Sequence, residues 1–247
     1  MSTPTLPHSE PTIIHEERHF VVVNKPSGWL SQPDDTDDPC LAQWLVETLR
    51  KQRTADQALS TEDPNEKPYN PFVAPVHRLD RPVSGLLVLA RTSKAASRLS
   101  ESFRTKSASK IYLAICHRNK SIEHQTLSLW LTKDRNTNKV SWSPHQSADA
   151  TLAQTRITPL YSTTDLILVQ LQPLTGRSHQ LRTAMAFLGG PIVGDLKYGS
   201  STPLGNAIAL HAAQLQFPHP ISSTLTNFQA PPPPWWAKLF PPLLDQH

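Results

Sequence analysis

The segment that most suggests chemistry is a carboxylate set between two basic residues. Asp80 lies between Arg78 and Arg81. Pro82 and Gly85 stiffen this turn, which directly precedes an apolar run. Neighbouring cations keep a carboxylate ionised, and an ionised carboxylate suits a nucleophile that must be anionic at neutral pH. A surface ion pair at the start of a strand gives the same pattern, because most charged turn residues are only solvated. Composition alone does not decide between the two.

Hydrophobic periodicity predicts the elements that must position this turn. Short apolar runs rich in β-branched residues predict strands at 12–16, 19–24, 85–90, 110–116 and 165–172. Apolar residues at helical spacing predict helices at 41–51, 93–106 and 179–188, the second with Ser93 as its N-cap. The polar, proline-containing residues 52–72 predict a surface loop. Many strands with a few inserted helices indicate an α+β fold.

Length and composition narrow the class of protein. The chain has 247 residues, 38% hydrophobic and 18% charged, which is typical of a globular domain. Cys40 and Cys116 lie far apart and in no metal-ligand spacing, so we expect reduced thiols. We find no signal-peptide pattern and no apolar run of ~18 residues, and we therefore expect a soluble, cytoplasmic protein with no membrane association. The net charge of +4 is compatible with a polyanionic partner.

Several segments, in chain order, resemble the motifs of RluA-family pseudouridine synthases. Residues 77–85 (HRLDRPVSG) resemble the signature that contains the family's aspartate. The other similar segments are 23–28 (VNKPSG), 110–114 (KIYLA), 175–182 (TGRSHQLR), 191–199 (PIVGDLKYG) and 210–212 (LHA). Two departures concern substrate fit more than catalysis: Val83 stands where the family usually has Thr, and Thr183-Ala184 where it usually has Val-His.

The resemblance implies both a fold and an activity. The fold would be the α+β pseudouridine synthase fold, a mixed and mostly antiparallel central sheet flanked by helices and loops, with a central active-site cleft. The activity would be isomerisation of a specific uridine in rRNA or tRNA, taken out of the RNA stack to reach the site. The bond energies before and after nearly balance, so we expect no cofactor and no metal.

The resemblance also implies roles for individual residues. Asp80 would be the catalytic nucleophile and Arg177 the basic residue that pairs with it. Tyr112 would stack on the uracil and is a candidate proton acceptor. Arg78 would bind the substrate by filling the space that the flipped uridine leaves. Without the motifs, a strand tyrosine such as Tyr112 is more often a core or edge aromatic, and Arg177 could simply bind its own loop.

Other polar residues of these motifs are interpreted as structural. We expect His77 and His179 to be hydrogen-bonded structural histidines, and Asn24 and Lys25 to be turn formers outside the site. Arg182 fits a phosphate contact and a solvated helix face equally well.

The predicted organisation is one catalytic domain with two short extensions. We expect a flexible leader at 1–11, the catalytic domain at 12–230 and a proline-rich tail at 231–247, whose tryptophans would pack it onto the body. About 20 residues precede the VNKP segment, so we expect a single-domain member without an S4 RNA-binding domain. We also expect a monomer.

Two other functions remain open. The first is an RNA-binding protein that kept the fold and lost catalysis, although intact Asp80, Tyr112 and Arg177 weigh against it. The second is a nucleoside hydrolase, which would need a second carboxylate. Asp195 is the candidate for that carboxylate.

Overall fold

The computed structural model describes residues 9–57, 69–134 and 137–241, and a single sheet dominates this part of the chain. Its strands are β1 (Thr12–Glu16), β2 (Phe20–Lys25), β3 (Ala74–Pro75), β4 (Ser84–Ala90), β5 (Ser109–His117), β6 (Gln125–Lys133), β7 (Val140–Ser143), β8 (Thr151–Ser162), β9 (Leu166–Pro173), β10 (Leu210–Pro218) and β11 (Leu225–Gln229). The helices are α1 (Leu41–Gln57), α2 (Ser93–Arg104), α3 (Gln180–Phe187) and α4 (Trp236–Leu239), with a 3₁₀ turn at Leu196–Tyr198.

The sheet is mixed and mostly antiparallel. Its strands follow the order β1-β2-β4-β10-β5-β9-β8-β6-β7, while β3 pairs with β4 and β11 pairs with β10. Over the described ranges every pairing of these strands is antiparallel except that of β4 with β10. The α+β fold class is therefore confirmed. All five predicted strands are present, with ends within two residues of the predicted ones.

The core lies on both faces of the sheet. Successive residues of a strand face opposite sides, and β2 shows this directly. Val21 and Val23 pack with α1 on one side, whereas Val22 packs with α2 on the other. Trp236 and Phe240 are buried on the α1 side. The described part of the C-terminal segment is thus packed onto the sheet, as its tryptophans suggested.

The start of β4 is fixed by its parallel neighbour β10. Gly85 has φ 118° and lies opposite Ala212, and a Cβ at this glycine would clash with the Ala212 backbone. Beside it, the buried His211 ring bonds the Ser84 hydroxyl through Nδ1 at 2.9 Å and the Ala230 carbonyl through Nε2 at 3.1 Å. The Ser-Gly and Leu-His-Ala motifs are therefore backbone partners, and they anchor the turn that precedes β4.

Two local predictions need correction. Helix α1 extends to Gln57, so the loop predicted at 52–72 is wrong for its first six residues. Lys, Gln and Arg are good helix formers that leave no apolar periodicity to detect. Residues 58–68 lie outside the described ranges, as do 1–8 of the predicted leader.

The N-cap of α2 is Thr92 and not Ser93. The Thr92 hydroxyl accepts a hydrogen bond from the Ala95 amide at 3.2 Å. Adjacent Thr and Ser are equally suitable caps by type, so the sequence leaves the boundary uncertain by one residue.

Candidate active site

The turn that carries Asp80 is fastened on both sides of that residue. The Ser31 hydroxyl donates to the Leu79 carbonyl at 2.9 Å and accepts from the Leu79 amide at 3.0 Å. The Lys25 ammonium donates to the Arg81 carbonyl at 3.3 Å. The two anchors lie at the end of β2 and in the segment that follows it, so this part of the chain fixes the backbone position of Asp80.

Lys25 is a structural residue of the site and more than a turn former. It is fully buried and also donates to the carbonyls of Pro26 at 3.0 Å and Trp29 at 2.8 Å. Burial lowers the pKa of Lys25 to about 7, against the opposing effect of the Asp80 charge. Three carbonyl acceptors satisfy its three N–H groups, which is how a buried lysine is accommodated.

The arginines that flank Asp80 in sequence do not pair with it. Arg81 forms an ion pair with Asp38 at 2.5 Å, and Arg78 is exposed at the cleft. The cation at Asp80 is instead Arg182, whose Nη1 donates to Asp80 Oδ2 at 3.2 Å. The cationic neighbourhood predicted for Asp80 therefore exists, but a different residue supplies it.

Arg182 bridges two carboxylates inside the protein. It is 6% exposed, and its Nε and Nη2 donate to Asp195 Oδ2 and Oδ1, each at 2.7 Å. The guanidinium also lies 5.0 Å from the centre of the Tyr198 ring. Burial disfavours the Arg182 charge, but its bonds to Asp195 and the charges of Asp195 and Asp80 outweigh this and raise its pKa. The Arg182 guanidinium is therefore a fixed cation that donates a hydrogen bond to one oxygen of Asp80, Oδ2.

The expectation that Arg177 pairs with Asp80 needs correction. Arg177 is exposed in the loop before α3, and its Nε donates to the Leu152 carbonyl at 3.2 Å. Arg182 was missed because a helix of eight residues leaves its exposed face undefined by sequence. One signal was available: Arg182 is the single charged residue of an otherwise uncharged α3, and a buried arginine requires a carboxylate partner.

Tyr112 lies on β5 in the same cleft as Asp80. Its side chain is 6% exposed. Burial, and secondarily the Asp80 charge, raise the pKa of Tyr112, so the group is a neutral phenol in the resting site. It therefore lines the cleft as an aromatic ring with a protonated hydroxyl.

The cleft is large and is lined by several cations. Its volume is about 990 Å³, and Asp80, Tyr112, Arg78 and Arg177 all line it. A second cavity of about 560 Å³ shares the residues 176–178 with the cleft. The cations that line the two cavities beyond Arg78 and Arg182 are Arg104, Lys106, Lys110, Lys133 and Arg177. Such a cationic lining suits a polyanion whose reactive part must reach Asp80.

Two further properties concern the described ranges only. They contain no group of three or more His, Cys, Asp or Glu side chains that could hold a metal ion. None of their helices is both long and apolar enough to cross a membrane.

Comparison with known proteins agrees with this geometry. A family model described as RNA pseudouridylate synthase matches residues 19–187. The dual-specificity RNA pseudouridine synthase RluA of Pasteurella multocida is 35% identical over 93% of this chain and 95% of its own. The tRNA pseudouridine synthase C of Vibrio vulnificus is 32% identical over 92% and 93%. Among solved structures, human RNA pseudouridylate synthase domain containing 4 superposes with a TM-score of 0.69 at 25% identity, covering 91% of this chain and 90% of that one.

The sheet, the carboxylate at the floor of its cleft and these matches define one class of protein. The chain belongs to the RNA pseudouridylate synthase family. Within that family it is an RluA-type pseudouridine synthase, and it is thus an isomerase.

Proposed function

We propose that this enzyme isomerises a uridine of rRNA or tRNA to pseudouridine, with Asp80 as the nucleophile. The observation that carries the proposal is the Asp80 carboxylate, held on one oxygen by the buried Arg182 in a cleft that also presents Tyr112. The substrate class is supported by the relatives, which are named as a dual-specificity RNA enzyme and a tRNA enzyme.

The chemistry follows from an anionic carboxylate and a detachable base. An Asp80 oxygen forms a bond to C1′ of the target nucleotide while the N1–C1′ bond breaks and uracil leaves with the electron pair. The uracil turns, its C5 attacks C1′ and displaces the carboxylate. The C5 proton is then lost and N1 gains a proton, so the product is an isomer and the carboxylate is regenerated. Arg182 holds the Asp80 carboxylate in place through the hydrogen bond from its Nη1 to Oδ2.

Tyr112 and Arg78 serve the flipped base and the gap that it leaves. Unstacking the uridine costs a few kcal/mol, and an aromatic ring beneath the base returns about 1–3 kcal/mol of this. Tyr112 is the aromatic floor in this proposal, and its hydroxyl exchanges a proton with the detached uracil. Arg78 is exposed at the cleft and stacks in the vacated position.

Arg177 acts on the RNA backbone. Its loop lines both the main cleft and the second cavity, and Lys133 also lines the second cavity. Arginine and lysine bind phosphate by charge, with arginine adding bidentate geometry. We assign to Arg177 a phosphate next to the target uridine, and to Lys133 a phosphate further along the strand.

The two alternative functions are less well supported. A hydrolase needs a second carboxylate to activate water, but both oxygens of Asp195 accept hydrogen bonds from Arg182 and the residue is 1% exposed. A protein that had lost catalysis would have no need to keep both Asp80 and Tyr112 in the cleft.

We infer a monomer whose catalytic domain spans residues 12–230, and a cytoplasmic location that gives access to rRNA or tRNA. Both cysteines are buried and free, which is compatible with a reducing compartment.

The test uses RNA that carries 5-tritiated uridine. Formation of the C5–C1′ bond expels the C5 hydrogen, so the purified enzyme must release tritium to water while the base stays bound to the RNA. Carbodiimide mapping of total RNA from cells with and without the gene then locates the uridine. Release of free uracil, or no tritium release from any rRNA or tRNA pool, contradicts the proposal.

A further inference from the structure

His179 occupies a strained and enclosed position beside Asp80. It precedes α3 with φ 53°, a left-handed conformation that non-glycine residues seldom adopt. Its side chain is 9% exposed, and its carbonyl accepts a hydrogen bond from the Thr183 amide at 2.9 Å. Backbone strain of this kind persists where the surroundings fix it, and it often marks a functional position.

Hydrogen bonds determine which ring nitrogen carries the proton. His179 Nδ1 lies 2.6 Å from the Tyr198 hydroxyl, which itself accepts from the Val140 amide at 3.0 Å. The Tyr198 hydroxyl has one proton to donate, and its other contact, with the Val140 amide, is one in which it accepts. The hydroxyl therefore donates its proton to His179 Nδ1. His179 Nδ1 is then the acceptor, so a neutral ring carries its proton on Nε2.

The ring stays neutral at physiological pH. Burial lowers the pKa of His179, and the charges of Arg182 and Lys197 act in the same direction. The charges of Asp80 and Asp195 oppose them. The net direction is downward, so the tautomer with the proton on Nε2 is the state in which the enzyme works.

That Nε2–H group lies near the same oxygen of Asp80 to which Arg182 donates. His179 Nε2 lies 3.8 Å from Asp80 Oδ2, and Arg182 Nη1 lies 3.2 Å from it. Within the described ranges, no protein donor is bonded to Asp80 Oδ1. A separation of 3.8 Å is too long for a hydrogen bond, but catalytic hydrogen bonds are often long in the free enzyme and tighten in the complex.

We propose that His179, oriented by Tyr198, is a positioning residue that holds Asp80 by Oδ2 and leaves Oδ1 as the reacting oxygen. The inference rests on the proposed role of Asp80 as nucleophile. Arg182 alone fixes Oδ2 at one point, about which the carboxylate can still rotate. A second donor at the same oxygen, from another direction, restrains that rotation when RNA closes the cleft.

The test is a double-mutant cycle on an active RNA. The probe is a 5-tritiated transcript containing the mapped uridine, and each variant is measured for single-turnover rate, RNA affinity and melting temperature. We expect His179→Ala and Tyr198→Phe each to lower the rate by about tenfold to a hundredfold, the range for slightly misplaced reacting groups. RNA affinity should stay within about twofold, and His179→Gln, which keeps an N–H donor, should recover most of the rate. Because Tyr198 acts through His179, the double variant should be no slower than His179→Ala.

The control is His124→Ala, an exposed histidine outside the cleft, which should match the wild type. The inference is overturned if His179→Ala keeps its rate, if the two losses multiply, or if rate, affinity and melting temperature fall together. A wild-type enzyme that releases no tritium would instead refute the proposed function, so the two failures are distinguishable.

Discussion

The variants Arg182→Gln and Arg177→Gln compare the two roles that we assign to these arginines. Arg182 is the cation that pairs with Asp80, and Arg177 is a cation that binds the RNA backbone. Each change removes one positive charge and shortens the side chain by a similar amount. In the structure, the Arg182 side chain donates three hydrogen bonds to Asp80 and Asp195, whereas the Arg177 side chain donates to the Leu152 carbonyl.

The two variants should lose different amounts of unfolding free energy, because Arg182 is buried and Arg177 is exposed. Without Arg182, the Asp195 carboxylate, 1% exposed, loses the donors that bind both its oxygens. Breaking a buried ion pair from one side costs about 3–5 kcal/mol of unfolding free energy. Loss of the exposed Arg177 leaves only one carbonyl to be solvated, so we expect less than about 1 kcal/mol.

Urea unfolding and single-turnover tritium release measure the two effects. Arg182→Gln should lose both stability and rate. Arg177→Gln should keep the rate at saturating RNA, bind RNA more weakly, and reduce the slope of log K against log salt by about one phosphate contact. Arg18→Gln, an exposed residue of the β1–β2 turn outside the cleft, is the matched control for charge.

If Arg182→Gln does not fold, a second substitution at Asp195 keeps the test possible. The double variant Arg182→Gln with Asp195→Asn removes the uncompensated buried charge, so it should regain stability without regaining rate. Equal losses of rate in the Arg177 and Arg182 variants would refute the assignment of Arg182 as the partner of Asp80.

Three other predictions test separate parts of the structure. Tyr112→Phe should leave RNA affinity within a few fold while the rate falls sharply, and Tyr112→Ala should also lose about 1–3 kcal/mol of binding; a Phe variant with wild-type turnover would make this residue packing only. Gly85→Ala should lower the unfolding free energy by several kcal/mol and the melting temperature with it, because its Cβ clashes with the Ala212 backbone; a stable variant would disprove the close approach of β4 and β10. Burial lowers the pKa of His211 to about 4, so between about pH 6.5 and 4 the unfolded chain binds a proton that the native protein does not. Stability should therefore fall by about 3 kcal/mol as pH drops through this window, and His211→Gln should show a shallower dependence in urea titrations.

The strands that the sequence predicted best are those that consist of consecutive apolar residues. β2 and β4 are buried on both faces, so their runs of valine and leucine predict strands directly. β6 is absent from the predicted strands, although Leu127, Leu129 and Leu131 alternate with polar or less buried residues along it. β8 offered less, since Pro159 lies within it and proline argues against a regular strand.

The site was predictable as a set of motifs but not as a set of contacts. Asp80 and Tyr112 share a cleft as the resemblance implied, although their roles remain predictions. The pairing of Asp80 depends on which way α3 faces, and the spacing of Arg177 and Arg182 in the chain carries no information on that. Lys25 gave no signal either, because its three carbonyl partners belong to irregular backbone.

The most direct test of the account is Asp80→Asn. The amide is nearly isosteric, and Arg182 keeps both of its bonds to Asp195, so we expect a folded protein with a melting temperature close to the wild type. RNA affinity should also be retained, since the phosphate contacts do not involve this residue. The measurement is single-turnover release of tritium from 5-tritiated uridine in the mapped RNA. The account predicts no detectable release, because an amide oxygen is not a nucleophile of comparable strength. Release at about a tenth of the wild-type rate or faster, from protein shown to be free of wild-type enzyme, would contradict Asp80 as the nucleophile.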